Sequence, residues 1–192
     1  SYNKILNLNA GRKLFENISN LMTTDFNVIV YNFVDMLSHA RTEMEIIREL
    51  ADDEAAYRSL MLSWFEHSSL FDIIKYLASK DVTVLVTTDH GSVKVTDPIK
   101  IVGDKNVNTN LRYKYGKSLN YKEKEVFEIK NPEEYHLPKI NISTRWVFSR
   151  GSNFFAYPNN FNYYANYYKN TFQHGGLSME EILIPIITLT SK

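Results

Sequence analysis

Apolar positions recur along this chain with two periods. Residues 11–21 carry Leu14, Ile18 and Leu21 on one helical face, which predicts a helix there. Residues 26–34, FNVIVYNFV, form an unbroken aromatic and β-branched run, the pattern of a strand buried on both faces. A long helical stretch follows over 41–80. Met44, Ile47 and Leu50, then Leu70, Ile73, Ile74 and Leu77, repeat at helical spacing, and Ser68 or Ser69 is placed to cap the last segment. Residues 81–88, DVTVLVTT, read as a second buried strand. The order strand, helices, strand predicts a parallel crossover, hence an α/β fold with a mostly parallel sheet flanked by helices.

The pattern changes after residue 93. Residues 93–130 alternate and are rich in turn residues, which predicts hairpins or short strands. Residues 144–158 read as two short strands around Arg150 and Gly151. A β-rich insertion of about 93–150 is therefore expected on the sheet. NNFNYYANYYKN, 159–170, reads as a short helix presenting tyrosines. Ser178 and Glu181 have capping-box spacing, so another short helix begins there. ILIPIITLT then forms a strand, placed at an edge or bulge by Pro185.

Composition narrows the chemistry. The 192 residues are 44% hydrophobic, enough for one globular domain with a real core. Twenty-two basic residues balance 22 acidic ones, so a ligand anion must be captured locally. There is no cysteine, which leaves His, Asp, Glu, Ser and Thr as metal ligands. No apolar run reaches membrane-spanning length. The opening residues look like a cut into a longer chain.

Candidate chemistry gathers where predicted strands end. The first runs into FVDMLSHAR, with Asp35 and His39 four residues apart and on one face if a helix begins there. The second ends in Asp89 and His90, before Gly91. His174 lies in FQHGG, a glycine-supported loop before a helix start. Ligands of open α/β sheets collect outside the carboxyl ends of strands. A turn or helix cap accounts for either aspartate alone. A divalent-metal site accounts for three of the five histidines falling at such positions.

NFVDMLSH, TTDHGS and FQHGG-SMEE together resemble the alkaline phosphatase superfamily, more narrowly the PglZ-type domain, and more narrowly still the effector domain of PorX-like response regulators. The resemblance spans residues 11–190 with its motifs in order. It implies that Asp35, His39 and His174 hold one zinc and that Asp89 and His90 hold a second. It further implies a phosphohydrolase acting on cyclic or short oligonucleotide phosphodiesters, as the output of a cytoplasmic regulator linked to type IX secretion. In the family, a strand ending in Asp and a Ser or Thr nucleophile precede the D-x-x-x-H motif by a long stretch. Only 34 residues precede Asp35, and Thr23 and Thr24 stand at the amino-terminal end of the predicted strand, the wrong end for a nucleophile. The expectation is the C-terminal part of a PglZ-type domain over 1–192, with one complete and one half metal site. The nucleophile-bearing half and any receiver domain would lie upstream, and this chain alone would be inactive. The alternatives are a non-catalytic interaction module, in which the Tyr-rich segment serves a homodimer or partner interface, and a PglZ protein of phage defence.

Other residues carry competing readings. Arg112 and Lys114 lie among tyrosines and read either as a phosphate or nucleotide clamp or as one face of a solvated strand. Arg150 is a similar candidate. His67 near a helix end and His136 in a loop read as structural or exposed. The tyrosines of 159–170 suit base stacking or an interface.

Overall fold

The computed structural model describes residues 1–103 and 107–191. The chain divides into two compact units, Ser1–Thr87 with Ile186–Lys192, and Thr88–Pro185.

The first unit opens with β1 (Tyr2–Ile5), α1 (Leu8–Glu16), a 3-10 turn (Ile18–Thr23) and β2 (Val28–Tyr31). β1 and β2 pair in parallel, from Tyr2 opposite Val28 to Ile5 opposite Tyr31, so a crossover unit does form, one strand earlier than expected. Asn7 caps α1 by accepting from the Ala10 N–H at 2.9 Å. The strand predicted over 26–34 is shorter. Asn32 ends it, and Phe33 and Val34 go into α2 (Phe33–Glu43). Then come α3 (Glu45–Leu50), α4 (Glu54–Glu66) and α5 (Ser69–Leu77). Asp53 caps α4 at 2.7 Å, and Ser68 caps α5 at 3.3 Å. Buried Arg41 ties α2 to the α3–α4 turn by donating to the Ala51 and Asp52 carbonyls. β3 (Thr83–Thr87) completes the continuous part.

The second unit contains β4 (Val93–Lys94), β5 (Asp97–Lys100), β6 (Tyr113–Gly116), β7 (Val126–Ile129), β8 (Arg145–Ser149), β9 (Asn153–Ala156), α6 (Phe161–Tyr168), β10 (Phe172–Gln173) and α7 (Met179–Ile182). β11 (Ile186–Thr190) then returns to the first unit and pairs antiparallel with β3, Thr83 opposite Thr190. The expected insertion over 93–150 is thus part of a larger body. β9 pairs in parallel with β5 and β10 antiparallel with β4, which binds later residues to earlier ones. β8 sits between β6 and β7 in an antiparallel sheet. Its core joins Ile99, Ile101, Val126, Val147 and Phe155, with Trp146 stacked on Tyr115 at 4.6 Å. Burying each large apolar side chain contributes roughly 1.5–3 kcal/mol.

The sheets are small and mixed. Among the described residues β1–β2 and β5–β9 are parallel, and the other pairings are antiparallel, so the single mostly parallel sheet expected from the sequence is not what these strands form. β3 is not buried on both faces either. Its residues alternate, and Leu85 is 62% exposed because β11 covers an edge and not a face.

Candidate metal centre

Asp35 and His39 sit in the first two turns of α2, directly after β2. Their i, i+4 spacing puts both side chains on one helical face, with His39 Nε2 3.6 Å from Asp35 Oδ1. Asn32 Nδ2 donates to the other carboxylate oxygen at 3.4 Å. Both side chains reach solvent, His39 more than Asp35. The helix that follows the strand immediately is what turns a sequence spacing into a shared face.

The same unit holds a groove of about 880 Å³ whose lining includes Ile5 and Tyr31, the last residues of β1 and β2. This is the carboxyl end of the parallel pair, the usual ligand side of such strands. Phe33 and Trp64 stack along it at 4.0 Å with planes 1° apart, and Met36, next to Asp35, also lines it.

In the second unit Asp89 and His90 follow β3 as the chain leaves the strand. His90 Nε2 lies 3.8 Å from Asp89 Oδ1. His90 Nδ1 donates to the Gly91 carbonyl at 2.9 Å, which fixes the tautomer and leaves a lone pair on Nε2, the form a metal ligand needs. The His90 and His174 rings stack at 3.9 Å and 10°. Each unit thus carries a histidine beside a carboxylate, a donor set suited to a divalent ion such as zinc. His174 belongs to the second unit, while Asp35 and His39 belong to the first. Among the described residues no group of three His, Asp or Glu side chains converges as a ready metal cage.

The PglZ family model, described as the BREX system PglZ alkaline phosphatase-like domain, matches residues 1–189. The chain belongs to the PglZ family. No curated protein matches it.

Arg112 and Lys114 of this PglZ domain do not present their charges to solvent. Arg112 is fully buried. Its Nε and Nη2 each donate to a Glu181 carboxylate oxygen at 2.9 Å, and Nη1 donates to the Asn153 carbonyl. Lys114 is buried on β6, donating to the Asn108 carbonyl at 2.6 Å and to Tyr157 Oη at 3.2 Å, with its ammonium 4.4 Å above the Tyr157 ring. Burial pushes the Lys114 amine down to about 8. Both charges are thus bound inside the unit in this conformation, and neither donor faces an open anion site.

The remaining candidates fall as follows. Arg150 Nε donates to the Val126 carbonyl at 2.9 Å. His67 caps α4 and its Nδ1 donates to the Ser63 carbonyl at 2.8 Å. His136 takes a left-handed conformation after a 3-10 turn, with φ 55°. Thr23 donates its hydroxyl to the Asn20 carbonyl and lies ahead of β2. Along α6 the tyrosines stack in pairs, Tyr163 on Tyr167 at 6.0 Å and Tyr164 on Tyr168 at 6.3 Å.

Glu181 is the residue that sequence reasoning placed only as a helix cap. Its carboxylate accepts from the backbone of Gly176 at 2.9 Å and of Ser178 at 3.1 Å, besides both arms of Arg112. Burial opposes its ionisation, but Arg112 and the backbone donors outweigh that and hold the carboxyl below the usual glutamate value. Capping-box spacing signalled the Ser178 contact. An arginine 69 positions away carried no local signal.

Proposed function

We propose that this chain is the metal-binding portion of a PglZ phosphoesterase-type domain acting on phosphodiesters, with cyclic or short oligonucleotides as the substrate class. Two divalent ions, zinc by ligand chemistry, would be held by Asp35, His39 and His174, and by Asp89 and His90. The observation that carries the reading is the paired geometry, a histidine within 3.6–3.8 Å of a carboxylate on α2 and after β3, in a chain of this family. When bound, such ions supply Lewis-acid charge for phosphoryl transfer. The protein's own part is to hold an imidazole in the metal-accepting tautomer, as the Gly91 carbonyl does for His90. The Phe33–Trp64 wall beside the β1 and β2 carboxyl ends suits a stacked base, which favours a nucleotide over a simple monoester.

The test is zinc stoichiometry of the purified chain, followed by competition with a short oligonucleotide and with a simple phosphate monoester. Zinc at one or two per chain and preference for the oligonucleotide support the reading. A folded chain that binds neither zinc nor oligonucleotide overturns it.

A second reading rests on the description of the matched family. In it the domain serves a BREX system, in phage defence, and not a PorX-like response regulator. The genomic neighbourhood separates these. BREX genes beside this one support the first context, and a receiver domain in the same polypeptide supports the second.

A further inference from the structure

Two histidine-bearing loops of the second unit converge on one residue, Glu181. The loop after His174 is held by its side chain, because Gly176 N–H donates to Oε1 at 2.9 Å and Ser178 N–H to Oε2 at 3.1 Å. The loop after His90 is held by its backbone, because Gly91 N–H donates to the Glu181 carbonyl at 2.8 Å. Both glycines are in close approach. A Cβ on Gly91 would collide with the Glu180 carbonyl, and one on Gly176 with the Glu181 carboxylate. Arg112 fixes that carboxylate through two 2.9 Å bonds. Asn110, which accepts from the Arg112 N–H at 2.7 Å, donates to the His174 carbonyl at 3.3 Å. The outcome is a 3.9 Å imidazole stack between residues 84 positions apart in sequence.

We propose that Glu181, held by Arg112, is a positioning residue that sets the relative placement of His90 and His174. Its functional meaning rests on the metal-binding reading above, while the positioning itself does not. A bidentate, charge-assisted pair is directional enough for this role, and a buried glutamate bonded to both loops keeps them from moving independently.

The experiment follows the imidazole Cε1–Hε1 signals of the metal-free full chain by NMR, in wild type, Glu181→Gln and Arg112→Lys. Val147→Ala, a core change in the cluster of Ile99, Ile101, Val126 and Phe155, serves as a stability control. The expected result is that His90 and His174 lose their ring-current shifts in Glu181→Gln and partly in Arg112→Lys. His39, His67 and His136 stay in place, and the control moves none. Zinc affinity, where wild type binds zinc, should fall about 10–100-fold in Glu181→Gln, as outer-shell changes typically do. Unmoved His90 and His174 signals in a folded Glu181→Gln or Arg112→Lys chain overturn the proposal. Hydrogen exchange of the wild type tests it without any variant. Gly91 and Gly176 amides should exchange together, slowed at least about 100-fold, and fast exchange at either overturns it. Displaced histidine signals in a chain whose wild type binds no zinc would leave the positioning intact and sink only the metal reading.

Discussion

His90 and His174 stack face to face at 3.9 Å in a unit of fewer than a hundred residues, although 84 positions separate them. The contact brings DHG and HGG together within the second unit, while Asp35 and His39 share a face of α2 in the first. The proposed ligands are therefore prepared in two local groups, each held by its own backbone.

The most direct prediction concerns metal content. Asp35→Ala, His39→Ala and His174→Ala should each remove the tighter-bound ion, since a three-ligand site loses most of its affinity with one donor gone. His67→Ala should not, because its imidazole is occupied with the Ser63 carbonyl. Elemental analysis after mild dialysis reads this, and equal metal in all four variants would refute the ligand assignment.

A second prediction uses the Arg112–Glu181 pair. Arg112→Met leaves a buried carboxylate without its cation and should cost about 3–5 kcal/mol at pH 7. In the wild type Glu181 sits below its ordinary value of 4.5, so its contribution is complete above that pH and is lost as pH falls through the folded value. In the variant, burial dominates and pushes the same carboxyl up. The stability gap between the two proteins should therefore narrow from pH 7 to pH 3 in urea titrations. A constant gap would show that the pair is not what titrates.

Much of the fold was legible, and the exceptions have physical causes. Ser68 and the Ser178–Glu181 spacing announced real helix starts because capping is local chemistry. The Asp35–His39 face was legible for the same reason. The strand over 26–34 was overextended, since Phe33 and Val34 are as apolar as strand residues but belong to the first turn of α2. Pairing was the least legible feature. Whether β3 meets β2 or β11 depends on contacts a hundred residues away, and no hydrophobic period encodes that. Arg112 suggested an anion clamp because sequence shows its charge and not its burial.

Lys114 gives a third prediction, with the same pH sign in an alkaline window. Its amine is pushed down to about 8 by burial, below the unfolded value near 10.4. Between these values the unfolded chain binds more protons, so stability should rise as pH goes from about 8 to about 10, by roughly 2 kcal/mol. Lys114→Met should flatten that rise. Urea midpoints at pH 7, 8, 9 and 10 measure it, and an unchanged slope in the variant would assign the rise elsewhere.

The last prediction separates backbone strain from crowding at two glycines. Gly151 and Gly175 both have positive φ, 49° and 102°. Around Gly151 a Cβ meets nothing within 4 Å, so Gly151→Ala carries only the left-handed penalty, about 1 kcal/mol. At Gly175 a Cβ would lie 2.9 Å from Asn110 Nδ2 and 3.1 Å from Tyr113 Cε1, in a φ region still less tolerant of a side chain. Gly175→Ala should cost roughly 2–3 kcal/mol and displace His174, whose carbonyl accepts from Asn110. Urea unfolding gives the two costs, and the His174 imidazole signal gives the displacement. Equal costs with His174 unmoved would mean that the HGG turn is held by something other than its fit against Asn110 and Tyr113.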